Sequence, residues 1–199
     1  MKLTLKLKLQ KCLNLLLVPC CFLALNGCAS GPQQLIISPQ NTANFSNIYG
    51  KISANIKSTD MRASSHIVQI LRADKAAELI SSATPIATVV EKSLNNIFSQ
   101  QGLTITNAES QVNISIFIDT AMISVEQSLI KYQANNSIGL RLKIRNADKT
   151  LTKSFTSHGK SNGPLNADLA VLERDFNQQL TKLLNQISTD TEIQTFIAH

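Results

Sequence analysis

At 199 residues, 43% of them hydrophobic, the chain is long enough to bury the core of one domain. Its formal charge of +6 comes from 19 Lys plus Arg against 13 Asp plus Glu, but four of those lysines stand in the first eleven residues with no acid beside them. Without that segment the balance is 15 against 13, with no Lys/Arg stripe interleaved with aromatics, which excludes the strong positive field that nucleic-acid binding needs.

The lysine-rich head (Lys2, Lys6, Lys8, Lys11) is followed by a nearly unbroken apolar run of 14 residues, Cys12 to Leu25. A basic head, a short apolar middle and a small-residue exit make a secretory signal. The run is shorter than the roughly 20 residues of a membrane-spanning helix and contains Asn14 and Pro19. Leu25 three places before Cys28, and Gly27 directly before it, shape the exit as a lipobox. Cys28 is therefore expected to carry palmitate-type acyl chains on its sulfur, to become the first residue of the mature protein, and to be acylated on its amine. Secretion with cleavage elsewhere is the alternative. Two or more acyl chains hold a protein stably on a bilayer where one does so only marginally. Ala29 and Ser30 lack the aspartate of inner-membrane retention, so the expected location is the periplasmic face of the outer membrane. Cys12, Cys20 and Cys21 leave with the signal, so the exported domain has no disulfide and rests on its core.

Three regions follow from this: a signal peptide over 1–27, the lipidated cysteine with a flexible tether over 28–48, and a single domain over 49–199. The tether holds Gly31, Pro32 and Pro39, with one apolar run, Leu35-Ile36-Ile37, able to dock as an edge strand. Ile52, Ala54 and Ile56 recur at strand spacing, and Ile67, Val68, Ile70 and Leu71 form a second strand. Ala76 to Ile80 predicts a short strand or a helical turn. Thr84-Pro85 opens a helix with an apolar face of Ile86, Val89, Val90, Leu94, Ile97 and Phe98, stopped at Gly102.

From Gln111 the period returns to two. Val112, Ile114, Ile116 and Ile118 share one face, and Met122 to Gln127 extends the strand past a bend. Ile130, Tyr132, Ala134, Ile138, Leu140, Leu142 and Ile144 form the dry face of the next strand, with Lys131, Gln133, Arg141, Lys143 and Arg145 on its wet face. A turn at Asn146-Ala147-Asp148-Lys149 leads into a strand over 150–157, and a polar loop, His158 to Pro164, into a second long helix from Asn166. Leu169, Leu172, Phe176, Leu180, Leu183, Leu184 and Ile187 make that helix's buried stripe, and Asp190 to Glu192 cap a final turn. Strands, helix, meander, helix predict an α+β fold: an antiparallel sheet with two long helices packed on one face as a two-layer sandwich.

No constellation in the chain carries chemistry. Gly159-Lys160-Ser161 lacks the earlier glycine of a phosphate-binding loop, since that position is Ser154. His66, His158 and many serines are present without a G-x-S-x-G elbow. Three scattered histidines and no free thiol give no metal site and no cofactor. Asp60 and Arg62 are two apart at a strand end, the spacing of an ion pair or a turn-stabilising pair. The absence of Trp makes a sugar-stacking groove unfavourable.

Taken in order, Ile37-Ser38-Pro39, Asp60-Met61-Arg62, the helix ending at Gly102, Lys131-Tyr132 and Thr189-Asp190-Thr191-Glu192-Ile193 with Phe196-Ile197 resemble the YajG lipoprotein family of Gram-negative bacteria. The resemblance spans the mature chain and implies a lipid-anchored periplasmic domain with no assigned activity, with Asp60, Arg62 and Tyr132 as its motif residues. The chain departs from the pattern in having no proline after Arg62 and in its segment from Ser157 to Pro164.

The expected function is non-enzymatic: a domain held to the membrane by its N-terminal lipid that binds an envelope protein or a peptidoglycan-related component. Lys131, Arg141, Lys143 and Arg145 form the expected partner surface. Two alternatives are a periplasmic ligand carrier or hydrolase with a pocket between helices and sheet, and a subunit that self-associates through Leu35–Ile37.

Overall fold

The computed structural model describes residues 33–40 and 47–199. The signal segment, Cys28 and the remaining part of the tether lie outside the described residues. Among the described residues there are seven strands and three helices: β1 Ser53–Asp60, β2 His66–Arg72, β3 Glu78–Ser81, α1 Ile86–Gln100, β4 Thr104–Ile105, β5 Val112–Gln127, β6 Lys131–Asn146, β7 Lys149–Pro164, α2 Leu169–Ser188 and α3 Thr191–Ala198.

The predicted antiparallel two-layer sandwich is not what forms. Strand accounts for 44% of the described residues against 27% helix, and the sheet is curled and mixed. β5, β6 and β7 make the antiparallel meander, but β1 and β2 both run parallel to β5, β4 runs parallel to β1, and β3 closes antiparallel on β2. The physical reason is the crossover through α1. A chain that leaves a strand, crosses a helix and returns to the same sheet arrives parallel to where it started. Alternating residues report which face is dry and carry no information on a partner's direction.

β5 organises the sheet. One edge pairs along its full length with β6, from Val112↔Asn146 to Gln127↔Tyr132. The other edge is shared end to end, β1 taking Val112 to Ile118 and β2 taking Ile123 to Gln127. Between them β5 shifts register at Ile118/Thr120. A bulge of this kind turns a strand's faces over, so Ile114, Ile116 and Ile118 point inward before it and Ala121, Ile123 and Val125 after it, all buried.

The expected loop over His158 to Pro164 is also corrected: β7 continues to Pro164, paired with β6 as far as Lys131. Its inward positions there are Gly159, Ser161 and Gly163, so apolar alternation vanishes while the ladder goes on. A Cβ on Gly159 would sit 1.5 Å from Gln179 Nε2, and one on Gly163 2.7 Å from Tyr132 Cε1. Both glycines are small because another side chain lies over them. Ile130, expected on the dry face, lies outside β6 and is 74% exposed. Ser128 turns the chain first, its amide and hydroxyl both donating to the Lys131 carbonyl at 2.9 Å.

The helices cover one face. Ile86, Val90, Leu94, Ile97 and Phe98 of α1, and Leu172, Phe176, Leu180, Leu183, Leu184 and Ile187 of α2, are buried, each such side chain contributing about 1.5–3 kcal/mol before entropy. Pro85 precedes α1 with no side-chain cap, whereas Asp168 caps α2 by accepting from the Ala170 amide at 2.9 Å. Gln101 is buried and donates to the Ser188 carbonyl at 2.9 Å, tying the end of α1 to the end of α2.

Residues 35–40, within the stretch read as a tether, pack on this body. Leu35 and Ile37 are buried. Leu35 donates to the Ser81 carbonyl and accepts from the Ala83 amide, both at 2.9 Å. Along α2, Glu173, Asn177 and Thr181 accept in turn from the amides of Ile36, Ser38 and Gln40 at 2.7, 2.7 and 2.9 Å. Two extended residues advance about 6.6 Å and four helical residues about 6 Å, so an extended chain stays in step with every fourth helix residue. Asn177 also donates to the Ile36 carbonyl at 2.9 Å.

Candidate functional site

The motif pair Asp60 and Arg62 sits where β1 ends and β2 has not begun, opposite the β5 bulge. Arg62 grips the carboxylate with both faces of its fork, Nε to Oδ1 at 2.9 Å and an Nη to Oδ2 at 2.7 Å. Its other Nη donates to the carbonyls of Ala121 at 2.8 Å and His66 at 3.1 Å. Those are carbonyls that the broken strand edge would otherwise leave unpaired. The Arg62 side chain is 8% exposed, so this is a structural plug in the sheet. The Arg62 hydrogen bond, chiefly, lowers the Asp60 carboxyl below its usual value against the opposing pull of burial.

The Ser64 hydroxyl lies against His66 Nδ1, while His66 Nε2 is buried without a partner among the described residues. The one acid close in sequence, Asp60, is held by Arg62. His158 is exposed on the outer face of β7, and no group of three metal-ligating side chains occurs among the described residues.

The expected partner surface lies on the outer face of β5–β7, which no helix among the described residues covers. Arg141 is already engaged: its fork takes both oxygens of Asp119 at 3.0 and 2.9 Å, and its guanidinium stacks 4.7 Å over the Phe117 ring. The Asp119 hydrogen bond raises the Arg141 pKa further. Lys143 and Arg145 are exposed on the same strand, with no ion pair among the described residues. Lys131 stands apart at the far end of β6. Tyr132 is buried over Gly163 and belongs to the core of that end.

A second concavity was not foreseen. Between β6, β7 and α2 lies a cleft of about 380 Å³ lined by Asn136, Gln179, Lys160, Lys182, Asp175 and Leu172 among others. Asn136 is 7% exposed, and its amide nitrogen and oxygen, like Gln179 Oε1, have no partner among the described residues. The sequence did carry a signal: Asn136 interrupts the dry face between Ala134 and Ile138. Gly159-Lys160-Ser161, rejected as a phosphate loop, forms one wall as a stretch of strand. The Leu35–Ile37 run, by contrast, is used within the chain, with the backbone groups of Leu35 and Ile36 already bonded.

The fold, though not the site, can be compared with solved structures. No curated protein matches the chain. Among solved structures, protein XCC0632 from Xanthomonas campestris superimposes with a TM-score of 0.61 at 14% identity, over 82% of this chain and 97% of that one, which shows a common fold. A PelC dodecamer subunit from Paraburkholderia phytofirmans is similar over 75% of this chain and 93% of that one, at 9% identity and a TM-score of 0.35. The family model for an uncharacterised lipoprotein matches residues 39–198, and such a family suggests an envelope location. With its matched region running from Pro39 at the docked arm to Ala198 at the end of α3, the chain belongs to the YajG family of uncharacterised lipoproteins.

Proposed function

We propose that this lipoprotein is anchored by acyl chains on Cys28 to the periplasmic face of the outer membrane and acts without catalysis, docking an envelope protein or cell-wall component on its uncovered sheet face. The anchor is supported by the lipobox and by the lipoprotein family. The docking surface rests on one observation: among the described residues, Lys143 and Arg145 stand exposed without counter-ions on a face that no helix covers, while their neighbour Arg141 is held by Asp119. Unpaired cations on a rigid strand give orientation and encounter rate to an acidic partner. Crosslinking in intact cells, followed by mass spectrometry, tests it. Lys143→Glu with Arg145→Glu should remove the partner crosslinks, and Arg141→Ala should weaken them less. An unchanged set of crosslinks in the double variant would rule this face out.

The ligand-carrier reading has an observation of its own, the buried Asn136 amide, without a partner among the described residues, facing a cleft rimmed by Lys160 and Lys182. A buried amide with both ends free suits a small polar solute, and the two lysines suit an anionic one. Native mass spectrometry of the protein taken from membranes would show a bound small molecule in the parent and none in Asn136→Leu.

A further inference from the structure

One end of the sheet is closed by two turns, β5–β6 and β7–α2, and that end is apolar where it meets solvent. Leu129 is 95% exposed, Ile130 74% and Leu165 65%. The Leu165 amide donates to the Ile130 carbonyl at 2.9 Å, so the two turns are joined. Leu71, at the end of β2, borders the same open hollow as Ile130. Leu165 is held at φ +58°, a left-handed conformation that favours glycine or asparagine over a bulky side chain. A leucine kept both strained and in water calls for something outside the chain to cover it.

The docked arm tells which way this end faces. Ile36, Ser38 and Gln40 bind successively later residues of α2, so the arm runs parallel to the helix. Its beginning therefore lies toward the start of α2, the end that Leu165 leads into. Five residues lie between Cys28 and Gln34, six chain steps with a reach of at most about 22 Å. A chain fastened at Cys28 has too little slack to turn this end far from the membrane.

We propose that the Leu129–Ile130–Leu165 tip inserts into the interfacial layer of the bilayer that holds the Cys28 lipid, giving the lipoprotein a second, apolar point of membrane contact. This rests on the reading of Cys28 as acylated. The rim carries Lys75 and Lys131 against Asp74 and Glu126, all exposed, so the contact is apolar and does not depend on lipid charge.

The test uses the full lipoprotein, purified from membranes and reconstituted into vesicles of phosphatidylethanolamine and phosphatidylglycerol. Leu129→Cys and, as a control at the opposite end of the sheet, Asp148→Cys are labelled with a polarity-sensitive thiol dye. Both sites are exposed, so neither substitution touches the core. At residue 129 the emission should shift to the blue and be lost on adding shallow spin-labelled lipid, unchanged by high salt; at residue 148 neither should occur. Equal, water-like emission at both sites overturns the proposal. A blue shift that spin-labelled lipid does not quench means that a second protein copy covers the tip, and overturns it too. The parent protein, whose remaining cysteine is Cys28, should take no dye. Dye on the parent would refute acylation, a failure distinguishable from failure of the tip.

Discussion

The Arg62 guanidinium reaches across the gap between β1 and β2 to the Ala121 carbonyl of β5, 2.8 Å away. One side chain thus does the work of a missing strand residue, at the place where the neighbouring edge is handed from β1 to β2. Its charge is balanced by Asp60, two residues earlier, and its side chain is 8% exposed. Removing the guanidinium leaves the Ala121 and His66 carbonyls without their donor and Asp60, itself 31% exposed, to water, a loss of about 1–3 kcal/mol. Arg62→Ala should lower unfolding stability by that amount in chemical denaturation. Arg62→Lys should recover only part of it, because a lysine cannot hold a carboxylate and two carbonyls at once. A midpoint unchanged in Arg62→Ala would show that the notch does not need its plug.

The same pair predicts a pH response. Asp60 is lowered from its ordinary value chiefly by the Arg62 hydrogen bond. A carboxyl lowered on folding adds stability that is fully present above its unfolded value, near 3.9, and disappears as pH falls through the folded value. Stability should therefore decline below about pH 4 more steeply in the parent than in Asp60→Asn, which should begin less stable at neutral pH. Parallel stability profiles for the two proteins between neutral and acid pH would contradict this role for Asp60.

How much of this was legible in the sequence differs from element to element for physical reasons. Of the expected stripe, Ile86, Val90, Leu94, Ile97 and Phe98 are buried and Val89 is half-buried at its edge, readable because helix period and burial coincide. The inward residues of β5 and β6 were readable for the same reason. The mixed sheet was not, because the parallel pairing of β1 and β2 with β5 depends on the helix between them and leaves no mark on alternation. The second half of β7 was hidden because Gly159 and Gly163 occupy inward positions over which Gln179 and Tyr132 lie. Asp60 and Arg62 could be paired from their spacing, but their target, Ala121, is fixed only by the bulge. The Asn136 cleft left only a break in the dry face as its mark, because its opposite wall, with Gln179, belongs to a distant helix. Nothing local in the arm shows that Glu173, Asn177 and Thr181 would accept its amides.

That arm offers a local test. Asn177 both accepts from the Ser38 amide and donates to the Ile36 carbonyl. Each such bond contributes about 0.5–1.5 kcal/mol net. Asn177→Ala should release the middle of the arm while Leu35, buried and bonded to Ser81 and Ala83, keeps its start in place. Hydrogen exchange at Ser38 should quicken about tenfold or more, since about 1.4 kcal/mol corresponds to a factor of ten, with global stability little changed. Unaltered exchange at Ser38 would mean that Ile37 packing alone holds the arm.

Gly102 ends α1 at φ +99°, with its amide donating to the Ser99 carbonyl at 3.1 Å. A Cβ there would stand 2.0 Å from Asn47 Oδ1. Gly102→Ala therefore brings two costs, a left-handed backbone that alanine resists by about 1–2 kcal/mol and displacement of Asn47. Asn47 moves most cheaply by turning its amide away, so the backbone cost should dominate. The neighbouring contacts raise the stakes, because the Ile48 and Tyr49 amides both donate to the Gln101 carbonyl at 2.8 and 3.1 Å, and Tyr49 is buried against Phe98 with ring centres 6.2 Å apart. Gly50, also at positive φ but with open space around its Cβ position, provides the control. Gly50→Ala pays only for its backbone, so thermal denaturation should rank Gly102→Ala as the less stable of the two. Equal melting temperatures would show that Asn47 yields without cost and that backbone conformation alone sets the penalty.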